Sequence, residues 1–250
     1  KFEKVDFDEI DISKLPELEQ FMLHKIYNLN LNFEKNFKAY NFHTLYKELL
    51  NFCTVDLSAF YFDIRKDTLY CDTLDSSKRK STIVFLNILI EILLKWFAPI
   101  LSFTTEEIFQ IINPEKNTSV HLEKFSKIPS SWKNENLFYK WNKLKVIRSV
   151  ANAAIEVKRA NKDIGSSLEA DVEIYLGGEY VKLVKDIDLS EYFITSKAKT
   201  QTMASNDKLF KLDDINDIGV LVKKAKGKKC PRCWKILESK CVRNNCGLKN

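Results

Sequence analysis

From Pro16 the chain reads Pro-Glu-Leu-Glu-Gln-Phe-Met-Leu-His-Lys-Ile-Tyr-Asn-Leu-Asn-Leu-Asn-Phe-Glu-Lys-Asn-Phe-Lys-Ala-Tyr, ending at Tyr40. Its apolar residues Leu18, Met22, Ile26, Leu29, Phe33, Phe37 and Tyr40 recur at steps of 4, 4, 3, 4, 4 and 3. A strand would alternate at every second residue, whereas these steps gather one face of a helix. Such a stripe must bury itself against neighbours, so an amphipathic helix packed in a bundle is expected. Pro16 suits a first helical position, where its missing N–H has no partner to lose.

The same logic extends outward. Asn41 allows a break, after which Leu45, Leu49, Phe52 and Cys53 carry a second helix to about Phe62. Ser76 or Ser77 is placed to cap a third helix, which Pro99 ends or kinks. Within it Ile83 to Leu101 is a run of 19 residues, long enough to suggest a membrane span. Asn87, Glu91 and Lys95, at spacings of four, draw a polar stripe down that run and make it a core helix instead. Thr104 with Glu107 fits a capping box for a short fourth helix that stops at Asn113-Pro114. Leu137, Trp141, Leu144, Ile147, Ala151 and Ile155 share one face of a fifth, from about Asn134 to Asn161. The expected architecture is an antiparallel helical bundle with one irregular connection, Asn113 to Trp132.

After Gly165 the period changes. Val172, Ile174 and Leu176 alternate with Asp171, Glu173 and Tyr175, as in a half-buried strand. Gly177-Gly178 makes a turn, Ile218 to Val222 is a second run of strand length, and Thr200 to Asn206 is polar and weakly patterned. The expected fold class is mainly α: a bundle over residues 1–163, a small α/β module over 164–225, and a cysteine-bearing tail over 226–250.

At 250 residues, 45% hydrophobic and 30% charged, the chain can build cores and is not a disordered segment. Six glycines and five prolines exclude collagen-like and low-complexity classes. The chain begins with Lys1 and without a signal-peptide pattern, and reads as a piece of something longer. Charge is unevenly placed. From Lys223 to Asn250 there are ten basic residues and one acid, Glu238, which leaves 30 basic and 33 acidic residues in 1–222. A cationic end on a near-neutral body suits a polyanion, nucleic acid or an anionic membrane, and equally a lysine-rich solubilising end.

Cys230, Cys233, Cys241 and Cys246 crowd into seventeen residues, while Cys53 and Cys71 stand apart and Cys53 reads as a buried small hydrophobe. Without a secretory signal, four close cysteines point to metal before disulfides. Cys230-Pro231-Arg232-Cys233 brings two thiolates to one ion through a tight turn, and Cys241 and Cys246 complete a tetrahedral set. Four sulfurs leave no open position, so the ion, best read as a single Zn2+, is structural and supplies the folding free energy of a segment too small for a core. Trp234 follows that turn among Lys228, Lys229, Arg232 and Lys235. It suits stacking on an unpaired base with phosphate contacts around it, and suits roofing the metal site as well.

Catalytic constellations are missing. His24, His43 and His121 have neither metal-ligand spacing nor an adjacent nucleophile and read as structural. Glu106-Glu107 falls in the first turn of the fourth helix and satisfies its dipole. Gly165-Ser166-Ser167 and Gly177-Gly178 match no dinucleotide or phosphate-loop pattern.

Several stretches, in order along nearly the whole chain, resemble the C-terminal part of bacterial-type isoleucyl-tRNA synthetases. They are Leu15 to Leu18, Tyr46 to Phe62, Lys66 to Asp72, Ala98 to Ile108, Ile164 to Ala170 and Lys229 to Lys235. The resemblance implies the class I synthetase type of anticodon-binding bundle, followed by a junction domain and a zinc-bearing end. It implies recognition of tRNA(Ile) through its anticodon stem-loop by a cytoplasmic monomer, with no membrane partner. It carries a base-contacting role onto Arg232 and Trp234, and backbone contact onto Lys158 and Arg159 near the end of the fifth helix, which suit a solvated helix face equally. The His-x-Gly-His and Lys-Met-Ser-Lys-Ser elements that handle ATP are absent here, so ATP and Mg2+ would belong to a catalytic domain elsewhere in the parent ligase. The family's second cysteine pair is usually two residues apart, whereas Cys241 and Cys246 are separated by four. The competing reading is a zinc-tailed adaptor that binds protein or RNA without enzymatic activity.

Overall fold

A computed structural model describes residues 3–115, 117–203, 209–241 and 243. The chain divides into two compact units, Lys1–Thr54 with Leu74–Asn134, and Val55–Thr73 with Glu135–Asn250.

The first unit is helical. Helix α1 (Glu17–Lys38) buries Leu18, Met22, Ile26 and Phe33 of the opening stripe, with Phe21 and Leu23, outside the stripe, buried as well. Pro16 sits one position earlier than expected, at the N-cap, where its carbonyl accepts the Gln20 N–H at 3.2 Å. The stripe runs out before Tyr40, which lies beyond the helix at φ 56° and is exposed. Helix α2 (Phe42–Asn51) contributes Leu45 and Leu49, and α4 (Ser77–Phe97) contributes Phe85, Ile88, Leu89, Ile92 and Trp96. Phe33 and Trp96 stack with centroids 5.4 Å apart. Ser76 caps α4, its hydroxyl oxygen accepting the Arg79 N–H at 3.3 Å. The polar stripe of α4 is internally paired: Lys95 donates to Glu91 at 2.9 Å. Among the described residues no helix is long and apolar enough to cross a membrane.

Helix α5 (Ser102–Ile112) departs from the expected start. It begins two residues before Thr104, Leu101 is its N-cap, and the Thr104–Glu107 capping box does not form. The turn after α4 is too tight to permit one: Leu101 N–H still bonds the Phe97 carbonyl at 2.7 Å, and the chain re-enters a helix at once. Glu106 therefore falls beyond the first turn. Its carboxylate accepts from the Ser119 hydroxyl and the Val120 N–H at 2.8 and 2.9 Å, latching the loop that follows α5. Ser119, Gln110 and Val120 hold that carboxyl below the usual range by hydrogen bonding.

The second unit opens on a π-helical stretch, Phe52–Phe62, through which the chain passes from one unit to the other at Thr54–Val55. Phe52 to Leu57 is a step of five between buried residues, the i to i+5 period of that geometry. The helix expected to end near Phe62 runs on as α3 (Asp63–Cys71). Helix α6 (Glu135–Ala160) carries Trp141, Leu144, Ile147, Ala151 and Ile155 inward, the predicted face. It packs on a four-stranded sheet of order β2-β1-β4-β3, formed by β1 (Ala170–Leu176), β2 (Lys197–Thr202), β3 (Phe210–Leu212) and β4 (Ile215–Lys224). Strand β1 alternates buried and half-buried residues and pairs antiparallel with β4, Val172 opposite Val222 and Leu176 opposite Ile218. It pairs parallel with β2 through a crossover holding α7 (Tyr180–Leu183) and α8 (Leu189–Tyr192). Thr200 to Thr202, polar and unpatterned in sequence, belong to β2, an edge strand with one face in water and no alternation to read.

Two buried cations of this unit face acidic partners. Arg65 pairs with Glu191 at 2.8 Å, both largely buried, and Thr68 donates to the same carboxylate oxygen at 3.1 Å. Arg148 donates to Asp63 at 3.2 Å and lies 5.5 Å from the ring centroids of both Phe60 and Tyr192.

Candidate metal centre and nucleic-acid interface

The cysteine-bearing end is a short hairpin of β5 (Lys228–Lys229) and β6 (Ile236–Leu237), Lys229 opposite Ile236. The loop between them is a knuckle. Cys230 N–H bonds the Lys235 carbonyl, and Trp234 N–H the Cys230 carbonyl, both at 2.9 Å. Gly227 lets the chain enter it. Its φ is +127°, and a Cβ there would lie 2.1 Å from the Leu237 carbonyl oxygen, so no other residue fits without moving the hairpin.

The knuckle gathers three of the four cysteines that the sequence analysis named as candidate metal ligands. The sulfurs of Cys230, Cys233 and Cys241 all lie within 4.8 Å of one another, the first two buried and the third half-buried. Cys246 lies outside the described residues. Three soft thiol donors converging on one point could hold a thiophilic metal ion. Cys71 packs against the same cluster from α3, its Sγ 3.8 Å from the Arg232 carbonyl oxygen. Burial first, and the neighbouring Asp67 second, push the Cys71 thiol up to about 11, which keeps it a neutral donor.

Contacts that seat the hairpin were not legible in the sequence. Arg243 grips Asp67 with two hydrogen bonds of 2.9 and 2.7 Å and reaches Asp72 with Nε at 2.9 Å. Burial opposes the Asp67 charge, but these bonds prevail and hold its carboxyl below the usual range. Ser196 receives the Ile236 N–H at 2.6 Å and donates to the Leu168 carbonyl, tying β6 to the Gly165–Ala170 segment. Arg243 and Asp67 stand 176 residues apart, and no local periodicity points from one to the other. The acids of Lys66 to Asp72, at steps of four and five from Asp63, were the only available signal.

Trp234 is 60% exposed and adopts φ +62°, the left-handed region that suits glycine. Lys229 Nζ lies 5.6 Å from its ring centroid. Arg232 reaches away from the knuckle and donates to the Tyr70 carbonyl at 2.8 Å. Lys158 and Arg159 stand at the end of α6, each in an ion pair on the surface, Lys158 with Asp163 at 2.9 Å and Arg159 with Glu156 at 2.6 Å. The structure thus brings Arg232 and Trp234 together with the three cysteines and leaves Lys158 and Arg159 as a separate exposed pair. The histidines hold structural positions: buried His24 accepts the Asn134 N–H at 2.8 Å, while His43 and His121 are exposed.

Comparison with known proteins assigns a setting to this geometry. Residues 19–174 match the family described as the anticodon-binding domain of tRNA ligase. The chain is 54% identical over 98% of its length to the isoleucine–tRNA ligase of Pelagibacter ubique, of which it covers 26%. It is 39% identical over 93% of its length to that of Rhodopseudomonas palustris, and 39% identical over 92% to that of Mesorhizobium japonicum, covering 24% of each. The chain spans about a quarter of the length of the curated relatives it matches.

Proposed function

The chain belongs to the anticodon-binding domain family of tRNA ligases, and from that premise we propose that it recognises tRNA(Ile) through its anticodon stem-loop, as the C-terminal part of a cytoplasmic, monomeric isoleucine–tRNA ligase. On this reading residues 1–163 form the anticodon-binding bundle, 164–225 the junction and 226–250 the zinc-bearing end. The catalytic domain, with its ATP and Mg2+, lies elsewhere in the parent protein. The observation that carries the proposal is an exposed Trp234 held on a three-cysteine knuckle within residues 223–250, which have ten basic residues and one acid.

A single Zn2+ on Cys230, Cys233, Cys241 and Cys246 would fix the turn from which Trp234 projects. The thiolates supply rigidity and the cations supply attraction to phosphate, while the ring stacks on an unpaired base and Arg232 meets a base edge. Lys158 and Arg159 serve the RNA backbone. The division of roles is physical: phosphate contacts set affinity and stacked or hydrogen-bonded bases set preference.

The test is fluorescence-anisotropy titration of the chain with tRNA(Ile) and with the same tRNA carrying a swapped anticodon, at one fixed salt. Preference for the native anticodon is expected. Trp234→Ala weakens native binding by about 1–3 kcal/mol, the cost of one lost stack. Equal binding of both tRNAs overturns the recognition role. The same preparation should exchange no pyrophosphate with ATP in the presence of isoleucine.

A further inference from the structure

Beside the knuckle lies a cavity of about 310 Å³. Its walls are mostly apolar and come from three places in the chain: Ile64 and Tyr70 on α3, Leu168 before β1 with Ile194 after α8, and Trp234 with Lys235 on the knuckle. That size is at the small end of ligand sites and admits one planar ring system. Two aromatic side chains that border it are unusually open to solvent, Tyr70 at 76% and Trp234 at 60%. A tyrosine at the end of a short helix needs no such exposure for folding, and a tryptophan at positive φ is strained where it stands.

The polar groups of the wall are already engaged. Both carboxylate oxygens of Asp67 accept from Arg243, and Glu191 Oε1 accepts from Arg65 and Thr68. The Ser190 hydroxyl donates to Asp188 at 2.7 Å, and Arg232 to the Tyr70 carbonyl. Few donors or acceptors remain to read the edge of a ligand. What the site offers is flat apolar surface, two exposed rings, and cations at the rim, Lys66 and Lys235 among them. An anion would be badly solvated inside, whereas a neutral aromatic attached to an anionic backbone matches both inside and rim.

Resting on the RNA-binding role proposed above, we infer that this cavity receives one unstacked nucleobase of the bound RNA, with Tyr70 and Trp234 as its aromatic borders, and selects it by shape and stacking rather than by base identity. The pocket therefore fixes the register of the loop, while preference for the anticodon comes from hydrogen bonds to base edges, the role given above to Arg232. Tyr70, far from the knuckle in sequence, is a binding residue on this account.

The experiment uses the full zinc-loaded chain and anticodon stem-loops of tRNA(Ile) carrying 2-aminopurine at each loop position in turn. One position is expected to change its fluorescence strongly on binding, and to lose that change in Trp234→Ala and in Tyr70→Ala. Tyr70→Ala should weaken native and anticodon-swapped stem-loops by the same factor, at least about fivefold, while Tyr70→Phe keeps the ring and the affinity. Circular dichroism of Tyr70→Ala should match the parent, since the side chain is exposed. Tight RNA binding with no responsive position, or with Tyr70→Ala at parental affinity, overturns the pocket and leaves the RNA-binding role standing. A Tyr70→Ala loss confined to one anticodon overturns selection by shape. Failure of the parent chain to bind any of these RNAs overturns the underlying role, and the pocket with it.

Discussion

At Trp234 the backbone and the side chain pull in opposite directions. The residue closes a cysteine knuckle at φ +62°, where a Cβ costs about 1–2 kcal/mol and glycine costs nothing. Strain of this kind persists where a side chain is wanted for something other than folding. Trp234→Gly should therefore raise the stability of the knuckle, by about 1 kcal/mol, and weaken RNA binding by as much as Trp234→Ala does. Competition for zinc with a chromophoric chelator measures the first effect and anisotropy the second. A glycine variant that binds metal less tightly would show that the ring supports the site. The opposite case is Arg65, whose guanidinium is 5% exposed and faces Glu191 at 2.8 Å. Glu191→Gln keeps the shape but removes the charge that faces Arg65 at 2.8 Å, and should cost on the order of 3 kcal/mol in urea unfolding. The identity of Trp234 was plain in the sequence, and so was its place among cations. Its dihedral was not, because handedness at a single position follows from how the two ends of the turn are held.

Among elements, the β5–β6 hairpin is the one that cannot stand on its own pairing. It consists of two strands of two residues with half-buried Ile236 and Leu237, far short of a self-sufficient core. Its order comes from the converging sulfurs, from Gly227 and from the clamp of Arg243 on Asp67 and Asp72. Cys230→Ser should collapse the dispersion of amide signals from about residue 226 onward and leave the signals of α1, α4 and α6 in place. Metal removal by a chelator should do the same reversibly. A tail spectrum unchanged by Cys230→Ser would contradict a metal-dependent fold. Gly227→Ala should mimic part of this loss with all ligands present, because the added methyl meets the Leu237 carbonyl. The helices and the first strand were legible because each has a dry face with a clean period: α1, α4, α6 and β1 stand close to where their apolar residues put them. What failed has a physical pattern. The start of α5 was misplaced because Thr104 and Glu107 have the spacing of a capping box, yet a tight turn after Ala98 had already restarted the helix. Strand β2 left no trace because an edge strand needs no alternation. The convergence of Cys230, Cys233 and Cys241 was legible from spacing, and the α3 residues that receive their hairpin were not, being 161 to 176 residues away in sequence.

Over the whole molecule the decisive property is how charge is distributed. Residues 1–222 carry 30 basic and 33 acidic side chains, and residues 223–250 carry ten and one. A body of slight negative charge adds little long-range attraction for a polyanion, so the electrostatic pull is concentrated at the end that also bears the knuckle. Part of that excess is already paired: Lys223 with Glu173 at the surface, and Arg243 with Asp67 and Asp72. Lys226, Lys228 and Lys240 remain exposed beside the hairpin. If these three each meet a phosphate, replacing them with glutamine should reduce the slope of log affinity against log salt by about 2–3. The loss of affinity should be the same for native and swapped anticodons, since a phosphate contact carries no sequence information. The complementary variant is Trp234→Ala, which should lower affinity at every salt concentration and leave the slope where it was. Titrations from low to physiological salt separate the two. An unchanged slope in the triple glutamine variant would move the phosphate contacts off the tail and toward the end of α6. There Lys158 and Arg159 would first have to exchange Asp163 and Glu156 for RNA. Such exchange is inexpensive at the surface, where an ion pair is worth about 0–1 kcal/mol, so the salt slope decides between the two faces.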